Sequence, residues 1–132
     1  MCIFCKILSG EIPSYKIYED EHTYAFLDIA DDYEGHTLVI PKEHYENSLD
    51  VPVEILKKVI ATTQKVAQHY VNNCGYTGVN IMNANGVDAE QSVFHLHYHI
   101  LPRKHDDGRK SWVDYPKINS DMSALCEKLR IK

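Results

Sequence analysis

The chain has 132 residues, of which 44% are hydrophobic and 25% are charged, and its formal net charge is -5 with neutral histidines. A chain of this size fits one domain and buries enough surface to fold without disulfides. The acidic balance argues against a nucleic acid polymer as partner, because a polyanion favours a basic face. The longest aliphatic run, Leu-Val-Ile at 38–40, is far too short to span a membrane, so no membrane partner is expected.

The N-terminal segment lacks the basic region, the long apolar run and the cleavage site of a signal peptide. These features predict a cytoplasmic protein. In that compartment the four cysteines are expected to be thiols or metal ligands rather than a disulfide framework.

The first part of the chain predicts a short helix followed by strands. Residues 3–10 place their apolar side chains on one side of a helix, and Gly10 ends it. A tight turn at Asp20 and Glu21 joins the first two strands into a hairpin, and Pro41 ends the third strand because proline cannot donate to a ladder. The three predicted strands are residues 15–20, 22–29 and 36–42.

The clearest element is a long helix over residues 48–75, where apolar side chains recur at three- and four-residue steps. Asp50 is positioned to cap its N-terminus, and Pro52 suits its first turn. Gly75 is expected to end it.

The last part of the chain predicts two more strands, at residues 78–83 and 94–102, with a loop at 83–92 between them. Proline again ends the final strand, and a short helix starts near Ser120. The whole pattern indicates an α+β fold, with five mostly antiparallel strands, one long helix and short terminal helices. We expect one domain over residues 1–132, consisting of a core at 1–103 and a polar C-terminal tail at 104–132.

Residues 94–103, Phe-His-Leu-His-Tyr-His-Ile-Leu-Pro-Arg, place His95, His97 and His99 at alternate positions of an apolar segment. Alternate residues of a strand point to one face, so the three imidazoles share a face while the apolar residues between them enter a core. Packing gives no reason for a row of imidazoles. Two functions stay open: metal ligation with a third ligand from elsewhere, and nucleophilic catalysis by a neutral imidazole.

The same segment resembles the H-φ-H-φ-H-φ-φ signature of the histidine triad superfamily of nucleotide hydrolases and transferases, where φ is an apolar residue. The resemblance covers about residues 1–103 and is closest to the small bacterial members with an N-terminal Cys-x-x-Cys. The other segments that are similar to the family are 2–21, 25–29, 35–44 and the phosphate loop at 85–95.

The resemblance implies hydrolysis of nucleoside 5'-phosphoramidates or dinucleoside polyphosphates. A nucleoside monophosphate would be transferred to His97, and water would then release it. His99 would contact the α-phosphate, and Asp28 would bind the ribose hydroxyls. The implied catalytic residues are His97, His99, His36 and Ser92. The implied nucleotide-binding residues are Ile3, Phe4, Ile7, Phe26, Leu27, Asp28, Ile29, Asn83, Asn85, Gln91, Ser92, His97 and His99.

The apolar members of that set would form a slot for a purine base, although plain core packing explains them equally well. The phosphate loop departs from the family pattern at two positions. Ala84 stands where the family has a polar residue, which Asn83 or Asn85 can replace, and Glu90 stands where the family has glycine. Both departures bear on the preference for a leaving group.

Cys2, Cys5, His44 and His95 form a Cys₂His₂ set, which is the composition of a closed tetrahedral zinc site. The resemblance implies zinc on these positions, and the alternative is a pair of ordinary thiols. Four protein ligands leave no position for water, so the zinc would be structural and catalysis would require no cofactor.

Three interpretations of function therefore stay open. The first is the histidine triad hydrolase. The second is a zinc-dependent hydrolase with His97 and His99 as ligands, and the third is a nucleotide-binding regulatory module with little turnover. The resemblance also implies a homodimer in which two sheets join and the long helix takes part in the interface.

Overall fold

The computed structural model describes residues 2–132, and Met1 of the expected domain lies outside the described residues. Five strands form one antiparallel sheet in the order β1-β2-β3-β5-β4, which confirms the predicted fold class. A single turn of 3₁₀ helix at Val87–Ala89 interrupts the phosphate loop. The strands and helices are α1 Ile3–Leu8, β1 Lys16–Glu19, β2 Thr23–Leu27, β3 Thr37–Pro41, α2 Val53–Asn73, β4 Gly78–Met82, β5 Tyr98–Arg103 and α3 Met122–Leu129.

The long helix α2 covers one face of the sheet. Two hydroxyl pairs cross this interface, Thr23 Oγ1 to Thr62 Oγ1 at 2.7 Å and Thr37 Oγ1 to Tyr70 OH at 2.6 Å. These pairs satisfy hydroxyl groups that would otherwise be buried without a partner. The main core of the molecule lies here and consists of Ala25, Val39, Val51, Val59, Val66, Ala67, Tyr70, Leu96 and Ile100. No helix among residues 2–132 is long and apolar enough to cross a membrane.

The opposite face of the sheet is only partly covered, by the short helix α1. Phe4 of α1 packs edge-on against Phe26 of β2, with ring centroids 5.5 Å apart. Leu38 and Ile40 of β3 complete this second apolar cluster. The remainder of this face carries the histidines.

Two predicted helix and strand boundaries are wrong for local reasons. Asp50 does not cap α2, because its carboxylate accepts from the N–H groups of Glu46 and Asn47 and closes the preceding turn. Pro52 takes the N-cap position instead, without a side-chain hydrogen bond. Proline also fails to stop β5, which continues through Pro102 to Arg103. Beyond Ile100 the strand pairs only with β4, so one side is an edge where proline is tolerated.

The last strand also begins later than predicted. β5 starts at Tyr98, so His95 and His97 precede it: His95 ends a bend at residues 93–95, and His97 lies between that bend and the strand. The backbone N–H of Leu96 donates to the carbonyl of Tyr45 instead of joining the sheet ladder. The predicted alternation still holds, because Leu96 is fully buried under α2 while the rings of His95 and His97 contact Phe4 on the other face.

Candidate functional site

The histidine face holds a row of five imidazoles that contact one another in two groups. His44 and His95 have ring centroids 4.8 Å apart, and His97 and His99 are 4.9 Å apart. His36 extends the second group, with its ring centroid 5.1 Å from that of His99. The two groups differ in their other side chains: the first contains thiols and the second contains carboxylates.

His97 is held in one tautomer by the backbone. Its Nδ1–H donates to the carbonyl oxygen of His95 at 2.8 Å, because a carbonyl can only accept. Nε2 therefore carries the lone pair. Burial lowers the pKa of His97, and the side chain is only 5% exposed, so the ring is neutral near pH 7. A neutral imidazole with an unprotonated nitrogen is the form that acts as a nucleophile.

Asp32, His36 and His99 form a hydrogen-bonded chain beside His97. Nδ1–H of His36 donates to Oδ1 of Asp32 at 2.6 Å, which leaves Nε2 of His36 facing Nδ1 of His99 at 2.9 Å. Burial, with smaller contributions from His97 and His36, lowers the pKa of His99 to about 4. Burial alone would raise the pKa of Asp32, but the hydrogen bond and charge of His36, together with the backbone N–H groups of Asp32 and Tyr33, outweigh it and the pKa is lowered. The chain thus joins an ionised carboxylate to a neutral ring.

Asp28 reaches the same group from the end of β2. Its Oδ1 accepts from the N–H of Ala30 at 2.9 Å, and its Oδ2 lies 3.6 Å from Nε2 of His36. The backbone N–H of Asp28 also donates to the carbonyl of His36 at 2.8 Å. The structure therefore brings together His36, His97, His99 and Asp28, four of the residues that the sequence singled out.

Gln91 fastens the phosphate loop to the rest of the protein. Its Oε1 accepts from the N–H of Gly86 at 2.8 Å and from the amide of Asn47 at 3.2 Å. Its Nε2 donates to the carbonyls of Glu46 at 2.7 Å and Val93 at 3.0 Å. The buried amide thus shapes the loop through contacts with the protein itself. Its contact with a phosphate group stays a prediction.

Asn83 and Asn85 join the loop to the segment before α2. The amide of Asn83 donates to the carbonyl oxygen of His97 at 2.9 Å. The Asn83 side-chain oxygen accepts from Ser48 Oγ at 2.8 Å and from the Asn85 amide at 2.7 Å. The side-chain oxygen of Asn85 accepts from the N–H of Ser48 at 2.7 Å. The amide of Asn83 thus holds the backbone of His97 in place, and Ser48 in turn holds the side chain of Asn83.

Sequence reasoning did not identify Asp32 or Ser48 as part of the site. Asp32 lies four residues before His36 in an acidic turn, so a carboxylate close to a candidate histidine was the available signal. Ser48 lies inside the predicted long helix and gave no separate signal. Glu90, the predicted departure from glycine, adopts the left-handed conformation with φ 69°. The loop therefore keeps a backbone shape typical of glycine at a cost of about 1–2 kcal/mol.

The predicted apolar slot is only partly assembled. Phe4, Ile7 and Phe26 pack together on the histidine face. Ile3 and Ile29 are 48% and 86% exposed and lie outside that cluster, as does Leu27. Binding of a base by these side chains stays a prediction.

Cys2, Cys5, His44 and His95 come together as the sequence predicted, and their ligand atoms all lie within 4.8 Å of one another. These four side chains are called the thiol group, to distinguish them from the group that contains carboxylates. The sulfur-to-Nδ1 distances are 3.3 Å for Cys2 to His95 and 3.4 Å for Cys5 to His44. Tetrahedral zinc, with bonds of about 2.1 Å to nitrogen and 2.3 Å to sulfur, separates such ligand atoms by about 3.4–3.8 Å. The group therefore fits a zinc ion.

The tautomer of His95 is also suited to this role. Its Nε2–H donates to the carbonyl oxygen of Pro41 at 3.0 Å, so Nδ1 directs a lone pair at the sulfur atoms. Burial lowers the pKa of His95 to about 4, which keeps the ring in its neutral, ligating form.

Ser92, the fourth predicted catalytic residue, is exposed and lies beside the thiol group. It lines a cavity of about 660 Å³ together with Cys2, Ile3, Cys5, His44, Val93 and Phe94. A smaller cavity of about 240 Å³ opens onto His36 and His99. The implied role of Ser92 in catalysis and nucleotide binding stays a prediction.

Residues 9–106 match the sequence model of the HIT domain, the domain named after the histidine triad. The chain belongs to the histidine triad family. It is 51% identical over 102 residues to the protein Hit of Bacillus subtilis, covering 77% of this chain and 70% of that protein. It is 38% identical over 124 residues to the adenosine 5'-monophosphoramidase of Saccharomyces cerevisiae, covering 94% of this chain and 75% of that enzyme.

Among solved structures, a zinc-bound histidine triad family protein from Mycobacterium smegmatis superimposes with a TM-score of 0.79. It shares 39% identity, and the match covers 88% of this chain and 84% of that one. The resemblance inferred from the sequence is thus confirmed at the level of family and fold. At the level of the family, the matches support a nucleotide hydrolase.

Proposed function

We propose that this protein hydrolyses nucleoside 5'-phosphoramidates or dinucleoside polyphosphates through a nucleotidyl-histidine intermediate on His97. The observation that carries the proposal is the state of the His97 ring, which is neutral and protonated at Nδ1 by its bond to the His95 carbonyl. Nε2 is thereby left available to attack phosphorus.

In the first step Nε2 of His97 forms a bond to the α-phosphorus while the bond to the amine or polyphosphate leaving group breaks. The leaving group takes up a proton from solvent, and the ring gains positive charge that the His95 carbonyl stabilises through Nδ1–H. In the second step water attacks the same phosphorus and releases the nucleoside monophosphate. Two displacements at a positioned imidazole replace one difficult attack by water.

The neighbouring groups are suited to binding the nucleotide around that phosphorus. His99 and His36 form the imidazole cluster that would face the phosphate oxygens. Asp28 offers two carboxylate oxygens to the vicinal hydroxyls of ribose. Phe4 and Phe26 supply an apolar surface for a purine base, and such a surface discriminates poorly between adenine and guanine.

Zinc in the thiol group is a further part of the proposal. Cys2, Cys5, His44 and His95 would hold the ion, and it would supply structural stability rather than chemistry, because all four positions are filled by protein. It would fix α1 to the segment that follows β3 and to the segment that carries His97. The zinc-bound relative from Mycobacterium smegmatis supports this assignment.

A homodimer completes the proposal. β4 is an edge strand, and its Ile81 side chain is 48% exposed. On the neighbouring helix α2, Ile60 and Val71 are 43% and 39% exposed. These side chains line a mostly apolar hollow of about 540 Å³ that a second copy would cover.

A cytoplasmic location is also proposed, since none of the four cysteines forms a disulfide.

The experiment that tests the mechanism is a rapid quench with adenosine 5'-phosphoramidate labelled at phosphorus. We expect an acid-labile nucleotidyl adduct on His97 during turnover. Turnover without that adduct would exclude the mechanism, and rapid loss of turnover on chelation while the protein stays folded would favour a zinc-dependent hydrolase. Nucleotide binding with negligible turnover would favour a regulatory module.

A further inference from the structure

A second group of metal-type ligands lies among the described residues, apart from the thiol group. Asp28, His36 and His99 place one ligand atom each within 4.8 Å of the others. We propose that these three side chains bind a divalent transition-metal ion of the zinc class, and that the ion competes with the nucleotide. The competition, but not the metal binding itself, rests on the proposed function.

The distances match the coordination of such an ion. Nε2 of His36 lies 2.9 Å from Nδ1 of His99 and 3.6 Å from Oδ2 of Asp28. Ligand atoms bonded at about 2.1 Å are separated by about 3.0 Å in octahedral and 3.4 Å in tetrahedral geometry. Both distances from Nε2 of His36 are therefore within a few tenths of an ångström of those around a bound ion, and the third pair of ligand atoms lies within 4.8 Å.

The surroundings already provide the outer contacts that metal-ligating histidines require. Nδ1–H of His36 donates to Asp32 at 2.6 Å, which directs the lone pair of Nε2 toward the centre of the group. Asp28 is fixed by the N–H of Ala30. His36 is 7% exposed, so its ring does not have to be immobilised when the ion binds.

The ligand set favours particular metals. Two imidazoles and one carboxylate suit Zn²⁺, Co²⁺, Ni²⁺ or Cu²⁺, whereas Mg²⁺ and Ca²⁺ prefer oxygen ligands. Three protein ligands leave at least one position for water, unlike the closed thiol group. The bound ion would occupy both the carboxylate assigned to ribose and the ring assigned to the α-phosphate. It would therefore inhibit the enzyme.

The first test measures metal binding without any nucleotide. Protein with its thiol group loaded with zinc is titrated with ZnCl₂ by calorimetry, and bound zinc is counted by mass spectrometry after gel filtration. We expect the parent protein to bind a second equivalent of zinc per chain, in addition to the zinc of the thiol group. Asp28→Asn should weaken that equivalent about 100-fold, and Asp32→Asn about 10-fold, as loss of an outer contact does. The matched control, His105→Ala, changes a solvent-exposed histidine and should retain the second equivalent.

Failure of the second equivalent to bind to the parent protein would overturn the inference, as would unchanged binding in Asp28→Asn. Substitution of cobalt for zinc gives an independent spectroscopic test. The cobalt bound in the thiol group should show a sulfur-to-cobalt charge-transfer band, and the second equivalent of cobalt should lack it. Variants that fail to fold are recognised by loss of the first equivalent.

The second test adds adenosine 5'-monophosphate to the zinc titration, after correction for zinc bound by the free nucleotide. Competition predicts that the apparent affinity for the second zinc falls in proportion to nucleotide concentration. Unchanged or tighter zinc binding would show a ternary complex and overturn the competitive role. Absence of turnover by protein that carries no second zinc, in a preparation that still binds it on titration, would contradict the proposed function but not the metal site.

Discussion

His95 and His97 are separated by one residue and lie on the same face, yet the structure gives them opposite tautomers. His95 donates from Nε2 to Pro41 and keeps its lone pair on Nδ1, toward the thiols. His97 donates from Nδ1 to the carbonyl of His95 and keeps its lone pair on Nε2. The comparison teaches that a backbone carbonyl selects which nitrogen is available, and so whether a histidine suits a metal or a phosphorus atom.

The partners of the two histidines differ in the same sense. Around His95 the neighbours are Cys2, Cys5 and His44, which offer two soft sulfur ligands and an imidazole but no carboxylate. Around His97 they include the Asp32–His36–His99 chain, in which a carboxylate orients imidazoles. The four side chains around His95 are suited to a closed structural metal site, whereas the chain beside His97 orients imidazoles and can stabilise changes of charge.

The largest expected effect comes from removing the proposed nucleophile. His97→Ala should lower turnover of adenosine 5'-phosphoramidate by about 10⁴-fold or more, because the covalent route is lost. Zinc content should stay at the parent level, since His97 is not one of the four thiol-group ligands. Initial rates and metal analysis check this, with the exposed His105→Ala as the matched control. Loss of zinc in the His97 variant would erase the distinction between the two histidines.

The next effect concerns stability rather than catalysis. Cys5→Ser should abolish zinc binding and lower the free energy of unfolding by about 4 kcal/mol at free zinc 1,000-fold above the dissociation constant. Thermal unfolding with and without a chelator measures this. Chelation should lower the melting temperature of the parent protein but not that of the variant. Cys126→Ser changes an exposed thiol and serves as control. An unaltered response to chelator in Cys5→Ser would contradict the zinc assignment.

Asp32→Asn tests the carboxylate half of the comparison. A hydrogen bond to a charged group contributes about 1.5–3 kcal/mol, so its loss should reduce kcat by about 10- to 100-fold. The zinc of the thiol group should be retained, because Asp32 does not contact it. Steady-state kinetics checks the variant. A change confined to KM would show that Asp32 affects binding rather than the oriented imidazoles.

The smallest expected effect lies outside both groups. Burial would raise the pKa of Asp20, but hydrogen bonds from His22, Thr23 and Tyr18 outweigh it and hold the pKa at about 2. The stabilisation is therefore full above about pH 4, the ordinary range of an aspartate, and is lost as the pH falls through 2. Asp20→Ala should cost about 1–2 kcal/mol at pH 7 and leave kcat unchanged. Denaturant unfolding at pH 7 and pH 2.5 checks this, because the difference in stability between the parent and the variant should be smaller at the lower pH.

The sequence predicted those parts of the site that depend on local periodicity. Alternation alone placed His95, His97 and His99 on one face and Leu96 in the core. The role of Asp32 could not be predicted, because it depends on how the turn before His36 folds back. The choice of tautomer likewise depends on the carbonyl of Pro41, which is distant in sequence from His95.

The exact ends of strands and helices could not be predicted from the sequence for a similar reason. β5 extends past Pro102 because β3 stops pairing at Ile100, and a single strand's sequence does not show where its neighbour ends. β5 starts at Tyr98 because Leu96 bonds to the carbonyl of Tyr45, a partner in a loop. Asp50 caps nothing because two nearer backbone N–H groups occupy its carboxylate.

The histidine segment enters a strand that has neighbours on both sides, β3 and β4. An insertion of one residue between His97 and Tyr98 would reverse the direction of every side chain beyond it. His99 would then face the apolar layer under α2, and Tyr98 would enter the cluster of imidazoles. This stretch can therefore change during evolution by exchanging residues but not by changing its length.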